Sequence, residues 1–371
     1  MVQKYFCNPL FILVALTCAT VSTGFAASAD LVKAKKKAEA TGYIFLTSHG
    51  DIVEKARREG KVRVMASLDA DSLKALNTAF SKKYPFIESQ VQEIAGQEVY
   101  MRMIQEMKSG VAKDWDVNYV AFDLYDEYLP YQKKFDILGM AQQQVLQIPL
   151  TMIDPKNRHI VVVASDIQVV AYNQKNIPPE KVPNAWADFL KEEFKGKKFM
   201  LDLRPKDVAA LVPSWGLEKT LDFARKLAAQ NPVWVRGNSR AMPRVQSGET
   251  NFLFGPNFST VLRAQEKGAG TLAYKILEPV PTRLNEAQGI LNASSHPHAA
   301  LLWLEFVCSP EGQQLIDKHE PYGASILSPG SAQEKATRGL KLSMVDWDHV
   351  KQMEYYQKKI IEAYGFPRAD K

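Results

Sequence analysis

The chain has 371 residues, of which 46% are hydrophobic and 24% are charged, and its formal net charge is +6 at pH 7. Basic and acidic residues are interspersed along it, which argues against a nucleic-acid-binding protein or a membrane-surface protein. A chain of this length usually exceeds one hydrophobic core, so two domains are expected.

The N-terminus has the pattern of an export signal. Lys4 precedes an apolar run over residues 9–19, and Ala27-Ser28-Ala29 supplies a small-residue cleavage pattern before Asp30. The apolar run is shorter than the ~20 residues that a membrane-spanning helix needs. We therefore expect a cleaved signal peptide over residues 1–29 and a periplasmic mature protein.

Cleavage at this point leaves Cys308 as the single cysteine of the mature chain, so no intramolecular disulfide is expected. Lipid attachment at Cys18 is the competing interpretation, but Ala15-Leu16-Thr17 fits a lipid-attachment site poorly. Cys308 follows an apolar run over 301–307, which favours a buried and inert thiol.

After a helical extension over residues 30–60, short apolar strands alternate with helices. Strands are expected at 61–66, 91–94 and 115–120. Such alternation is typical of a parallel sheet that is covered by helices on both faces. Asp71-Ser72 is a capping pair for the first of these helices, and Ser294 and Ser295 are expected to cap a later one.

A β-branched run over 160–172 is long enough to pass from one lobe into another. The second series of elements has strands at 198–203, 232–235, 251–254 and 272–277, with helices at 217–229 and 259–267. The chain is expected to cross back at 278–281. The fold class is therefore α/β, with two doubly wound lobes joined by crossover strands. The expected segments are a first lobe over 61–168 and 282–320, a second lobe over 169–281, and a C-terminal helical segment over 321–371.

Three stretches carry a resemblance to a known family. Val169-Val170-Ala171-Tyr172-Asn173 is followed by Pro183, Trp186 and Phe194-Lys195-Gly196-Lys197; Gln246-Ser247-Gly248-Glu249 precedes a strand; and His296-Pro297-His298-Ala299-Ala300 leads through Phe306 to Ser309-Pro310-Glu311-Gly312-Gln313. Over residues 60–330 the chain resembles the periplasmic substrate-binding proteins of ABC importers, in the two-hinge, type 2 class of ferric, thiamine, phosphonate and polyamine binders.

The resemblance implies that the two lobes close by hinge bending on a small molecule, which the protein then delivers to the permease of an importer. It implies a monomer without enzymatic activity, cofactor or nucleic-acid partner. Ligands of open parallel sheets lie beyond the carboxyl ends of the strands, beside helix N-termini that favour anions. Candidate ligand-binding residues at these places are Ser67, Asp69, Gly96, Gln97, Tyr119, Phe122, Arg204, Asn238, Arg240, Asn257 and Phe258. Trp215 and Tyr322 are further candidates, since aromatic faces commonly form the floor of such pockets.

Arg204 and Arg240 decide the expected ligand class. Arg204 follows a strand directly and Arg240 stands at a helix start, so either can offer a planar fork to a carboxylate or a phosphate. Together with the mild positive charge, they favour a small anion or a metal chelate as the ligand.

A bare ferric ion is not expected. The ferric binders of the resembled family use two adjacent tyrosines, whereas this chain reads Asn257-Phe258-Ser259 at the matching place. Phenylalanine lacks the hard oxygen donor that ferric iron prefers. Leu68-Asp69-Ala70-Asp71, after the first strand, also lacks the histidine of those sites.

Other chemistries have weaker support. His296 and His298 flank a proline at a helix start, where a structural role is expected, and the Tyr355-Tyr356 pair is expected to pack, since neighbouring helix positions point about 100° apart. No GxSxG elbow, phosphate-binding glycine loop or HExxH pair occurs in the sequence. Two alternatives stay open: a sensing module that docks onto a membrane receptor, and an exported enzyme.

Overall fold

The computed structural model describes residues 29–268 and 270–366. The expected signal peptide lies outside the described residues except for Ala29, as does Cys18. In the described part of the chain, no helix combines the length and the apolar character that crossing a membrane requires.

Strands and helices alternate along the chain. The described strands are β1 (Lys61–Ala66), β2 (Glu88–Glu93), β3 (Val117–Val120), β4 (Val161–Ile167), β5 (Val170–Asn173), β6 (Met200–Asp202), β7 (Val233–Val235), β8 (Phe252–Leu253), β9 (Leu272–Lys275), β10 (Val280–Ile290) and β11 (Leu342–Val345). The described α-helices are α1 (Ala29–Ala40), α2 (His49–Glu59), α3 (Ala70–Lys83), α4 (Gln97–Lys108), α5 (Tyr125–Tyr128), α6 (Ile137–Gln142), α7 (Lys206–Ala209), α8 (Val212–Trp215), α9 (Leu217–Ala229), α10 (Asn238–Ser247), α11 (Phe258–Glu266), α12 (Pro297–Cys308), α13 (Pro310–His319), α14 (Ala332–Thr337) and α15 (Met353–Tyr364).

Two sheets define two lobes. The first lobe contains a six-stranded sheet in the order β11-β10-β3-β1-β2, with β4 also paired to β10. The second lobe contains a five-stranded sheet in the order β7-β6-β8-β5-β9. Helices accompany both sheets, so the expected α/β class with two lobes is confirmed.

Between β1 and β10, the chain passes between the lobes at two crossovers. The first lies between β4 and β5, where Gln168 N donates to Pro281 O at 2.9 Å. The second connects β9 to β10, and it was expected at 278–281. β4 and β10 pair antiparallel, and Ile167 lies opposite Thr282 at the end of this pairing next to the crossovers. The two crossover segments therefore run side by side.

The first-lobe core surrounds α12. Leu301, Trp303 and Phe306 of this helix are fully buried, as is Cys308, whose thiol pKa is raised by burial. The expectation that this thiol is buried is therefore confirmed. The helix begins differently from the expectation, because its N-cap is His296 rather than Ser294 or Ser295. Ser294 instead donates to the buried Asp116 carboxylate at 2.7 Å.

The N-terminal extension packs on the first lobe. Glu59, the last residue of α2, accepts hydrogen bonds from His298 N and Ala299 N at 2.9 and 2.8 Å. It therefore satisfies N–H groups that the first turn of α12 cannot satisfy itself. His298 Nδ1 also lies 2.6 Å from Glu59, which gives this histidine a structural role.

The C-terminal segment contacts both lobes and contains a strand that the sequence did not indicate. β11 pairs parallel with β10 of the first lobe. Trp347 then packs against Phe122 and Tyr125 of the same lobe, with ring centroids 5.4 and 5.6 Å apart. α15 lies against α9 of the second lobe, where Tyr364 packs 5.0 Å from Trp234. The segment is therefore a third connection between the lobes, and we call residues 342–366 the C-terminal strap.

Candidate functional site

A cavity of about 510 Å³ lies between the lobes. The first lobe contributes Ser67 and Tyr119, and the second lobe contributes Asn257 at the start of α11. We call it the acidic pocket because five carboxylic acids line it: Asp69, Asp166, Glu266, Glu286 and Glu320. The walls therefore come from both sides of the crossover strands.

A second cavity, of about 280 Å³, lies at the N-termini of α10 and α11. We call it the basic pocket because Arg204, Lys206 and Arg283 line it, together with Asn238 and Asn257. A third cavity of about 240 Å³ is lined by Tyr100, Tyr119, Lys206 and Arg283, and we call it the tyrosine pocket.

Arg283 lines all three pockets. It belongs to the crossover strand β10, directly opposite Asp166 of β4. Its guanidinium donates to Asn285 Oδ1 at 3.4 Å, and no carboxylate forms an ion pair with it in the described part of the chain. A half-buried cation with spare donors therefore occupies the centre of the cleft.

Two buried acids lie at the junction of the lobes. Glu286 is 2% exposed and accepts hydrogen bonds from Ser67 N at 3.2 and 3.1 Å, and burial raises its pKa to about 8. Asp166 accepts hydrogen bonds from the Ser259 hydroxyl and backbone N–H, and burial raises its pKa as well. The acidic pocket is therefore less negative near neutral pH than its composition suggests.

The cations of the basic pocket are close together. Arg204 contacts Asp202 through Nε and Nη2 at 3.5 and 3.3 Å. Lys206 Nζ lies 3.7 Å from Asp123 of the first lobe. Burial, and then the charge of Arg283, lower the pKa of Lys206. The pocket thus gathers like charges that an anion would stabilise.

Two ion pairs connect the lobes at the cleft. Asp69 of the first lobe lies 3.4 Å from Arg263 of the second. Lys206 of the second lobe and Asp123 of the first form the other pair. The structure therefore holds the lobes in contact around the pockets.

Most of the candidate residues named from the sequence lie at these pockets. Ser67, Asp69, Tyr119 and Asn257 line the acidic pocket. Arg204, Asn238 and again Asn257 line the basic pocket. Phe122 joins Tyr119 in the tyrosine pocket.

The other candidates lie elsewhere. Phe258 is 1% exposed and packs between Tyr274 and Tyr322, with both ring centroids at 4.5 Å. Trp215 packs against Phe223 at 5.1 Å. Arg240 is exposed on α10 and lines none of the three pockets.

Gly96 lines a separate surface groove beside Val99. Gln97 begins α4, and its side chain lies outside what the structure describes. Gly96 is not among the residues that line the three pockets around Arg283.

Several lining residues were missed by sequence reasoning. Lys206 follows Arg204 after the same strand, so the rule that selected Arg204 also covered it. Asp166, Arg283 and Glu286 lie inside strands, where attention to strand ends overlooks them. Their signal is an ionisable residue within an otherwise buried strand, which is rare without a functional or structural partner.

Metal ligation finds little support in this geometry. Within residues 29–268 and 270–366, no group of three or more His, Cys, Asp and Glu side chains is arranged to hold a metal ion. His296 Nδ1 lies 3.1 Å from Asp116, and His349 Nδ1 lies 2.7 Å from Asp346. Asp346 also accepts hydrogen bonds from the Asp348 and His349 N–H groups, as expected of a capping residue.

The overall architecture is similar to that of solved substrate-binding proteins. A Trichodesmium protein in complex with iron and citrate aligns with a TM-score of 0.61 and 16% identity, over 82% of this chain and 98% of that one. Ferric iron-binding protein A of Mannheimia haemolytica, in an open conformation, gives 0.65 and 19%, over 82% and 98%. An ABC-transporter substrate-binding protein of Agrobacterium tumefaciens gives 0.56 and 17%, over 82% and 97%.

No curated protein matches the sequence significantly. The model of one protein family does match, over residues 126–353, which cover the crossovers, the second lobe and the first part of the C-terminal strap. With both lobes and the cleft between them in place, the chain belongs to the bacterial extracellular solute-binding proteins.

Proposed function

We propose that this protein captures one small molecule, an anion or a metal chelate, in the cleft around Arg283 and delivers it unchanged to the permease of an ABC importer. The observation that carries the proposal is that three pockets, lined by both lobes, meet at this one arginine. The ABC-transporter relative of similar fold supports the importer as the partner. Export to the periplasm and cleavage of the signal peptide belong to the same proposal.

The crossovers supply the hinge that such capture needs. Domain closure around a ligand takes place at a few residues that connect rigid bodies. Here the connections are residues 168–169 and residues 276–279, each flanked by strands of different sheets. A single chain provides both walls of the cleft, which is in keeping with a monomer.

An iron chelate is a second candidate ligand. The Trichodesmium relative is described with iron and citrate, and citrate carries the carboxylates that Arg283 can bind. A bare ferric ion has less support, because neither Phe258 nor Ser259 is a tyrosine and the Phe258 ring lies within the core.

A thermal-shift screen of the mature protein tests the proposal. The compounds are carboxylates, phosphonates, inorganic anions, polyamines and ferric chelates. We expect one chemical class to raise Tm, since a ligand that binds only the native state stabilises it by mass action. The stabilising compound is then incubated with the protein, and mass spectrometry measures its mass and the number of molecules bound per chain. Recovery of the unchanged compound at one molecule per chain supports a binding protein, whereas its conversion would support the exported enzyme.

A further inference from the structure

The basic pocket differs from the rest of the cleft in its chemistry. Arg204, Lys206 and Arg283 line it. Its lining has two carboxylic acids, Asp202 and Asp207, whereas the acidic pocket has five. One of these acids, Asp202, already accepts hydrogen bonds from Arg204 N and Gly237 N at 3.0 Å each. Arg204 Nη1 has no protein partner in the described residues, so it is free to bind a ligand.

Two helix N-termini meet at this pocket. α10 begins at Asn238 after Gly237, and α11 begins at Phe258 after Asn257. The first N–H groups of a helix have no intrahelical partner, and they favour negative charge. Gly237 has φ +98°, and a Cβ placed there would lie 3.1 Å from Arg204 Nη2. A glycine at this position therefore lets the Arg204 guanidinium lie against the start of α10.

Buried polar atoms without partners provide an independent sign of a ligand. Gln168 and Asp207 line the basic pocket and are each 3% exposed. Gln168 Oε1, Asp207 Oδ2 and Asn238 Oδ1 have no hydrogen-bond partner. Buried polar atoms of native proteins are nearly always paired, so unpaired ones at a cavity call for an explanation.

The unpaired acceptor atoms need hydrogen-bond donors that an inorganic anion does not supply. Gln168 Oε1 and Asn238 Oδ1 are acceptors, and orthophosphate at neutral pH offers few donors to them. Burial raises the pKa of the Asp207 carboxyl well above its ordinary value, which makes a negative charge at this position less favourable. A ligand that carries hydroxyl groups beside its charged end satisfies all of these atoms.

From these observations we infer that the basic pocket is an oxyanion subsite for a hydroxylated organic anion. The dianionic end, a phosphomonoester or a pair of carboxylates, lies between Arg204, Lys206 and Arg283. Its hydroxyl groups contact Gln168 and Asn238. This inference rests on the proposed function, which it makes specific for one class of ligand.

Matched pairs of compounds test the hydroxyl requirement by isothermal titration calorimetry. Citrate is compared with tricarballylate, and glycerol 3-phosphate with n-propyl phosphate, because the members of each pair share their charge and differ in hydroxyl groups. We expect the hydroxylated member of one pair to bind about tenfold more tightly. The pair that shows this difference distinguishes carboxylate from phosphate as the source of the charge. Equal affinities within both pairs, or no binding of either pair, would overturn the inference.

Variants test the place of binding. Arg283→Gln and Lys206→Gln are each expected to weaken the preferred anion about tenfold or more. Arg225→Gln, an exposed site on α9 of the same lobe, removes the same charge and should leave the affinity unchanged. Circular dichroism verifies that each variant is folded, and Lys206→Gln keeps the test open if Arg283→Gln does not fold. Anion affinities that stay within twofold in both folded variants would refute this subsite.

The two proposals can fail separately. If a polyamine or a neutral compound binds at one molecule per chain and is recovered unchanged, the protein is a solute-binding protein but the oxyanion subsite is wrong. If no compound of any class binds, both the proposed function and the oxyanion subsite are wrong.

Discussion

Asp69 Oδ2 of the first lobe lies 3.4 Å from Arg263 Nη1 of the second lobe, and the two side chains are each 49% exposed. The pair therefore spans the entrance of the acidic pocket at the surface of the protein. An exposed ion pair contributes about 0.2–1 kcal/mol. That amount is small for global stability, but it is large enough to shift an equilibrium between open and closed lobes.

We predict that Asp69→Asn increases the fraction of ligand-free molecules with separated lobes by up to about fivefold. Small-angle X-ray scattering measures the change as a larger radius of gyration. Asp71→Asn is the matched control, because Asp71 is an exposed acid in the first turn of α3, the helix that Asp69 precedes. An unchanged radius in Asp69→Asn, at low salt where the pair is strongest, would show that this contact does not hold the lobes together.

Glu286 makes stability depend on pH. Burial raises its pKa to about 8, whereas an unfolded glutamate titrates near pH 4.3. Between these values the folded protein holds a proton that the unfolded chain has released. Stability due to Glu286 therefore falls as pH rises through this window, by up to ~1.4 kcal/mol per pH unit.

Accordingly, Glu286→Gln should raise Tm more at pH 8 than at pH 5, because the amide keeps an acceptor for Ser67 N without the ionisable proton. Thermal denaturation at the two pH values measures the difference. Glu266→Gln, which alters an exposed residue of the same pocket, should shift Tm equally at both. A gain for Glu286→Gln that is no larger at pH 8 would contradict the assignment.

Phe258 is expected to be a core residue and not a ligand contact. Its replacement by alanine removes a side chain packed between Tyr274 and Tyr322, which should cost about 3–5 kcal/mol in urea denaturation. Phe258→Tyr restores the tyrosine of the ferric binders, yet its ring remains in the core. We predict no tyrosinate-to-iron absorption band when this variant is titrated with ferric iron. Appearance of that band would mean that residue 258 reaches the cleft.

The C-terminal strap is predicted to favour contact between the lobes. Trp347→Ala removes two aromatic contacts with the first lobe, each worth about 1 kcal/mol, while α15 stays on the second lobe. The variant should have a lower Tm and a larger radius of gyration without ligand. Tyr355→Ala, which truncates a 51% exposed ring of α15, should change neither quantity appreciably. Equal behaviour of the two variants would indicate that the strap does not connect the lobes.

The local pattern of the sequence predicted the two lobes because strands and helices alternate with clear periodicity. The helix over 217–229 agrees with α9 to the residue. β10 was missed because Arg283, Asn285 and Glu286 interrupt its apolar pattern, and these are the residues that face the pockets. β11 was missed because its pairing with β10 joins residues that are distant in the sequence.

The sequence predicts where the backbone of some candidate site residues lies, but not where their side chains point. Strand ends and helix starts selected Ser67, Arg204 and Asn257, and these residues line the pockets of the cleft. Sequence alone does not tell which way a side chain points from a helix start. Phe258 therefore entered the list although it faces the core, and Arg240 entered although it faces solvent.

The crystal structure of the protein with the most stabilising compound from the thermal-shift screen tests the central claim most directly. We predict electron density for one molecule between the lobes, in contact with Arg283 and Asn257. Density for the compound at another surface, and none for it in the pockets around Arg283, would contradict the proposed binding site.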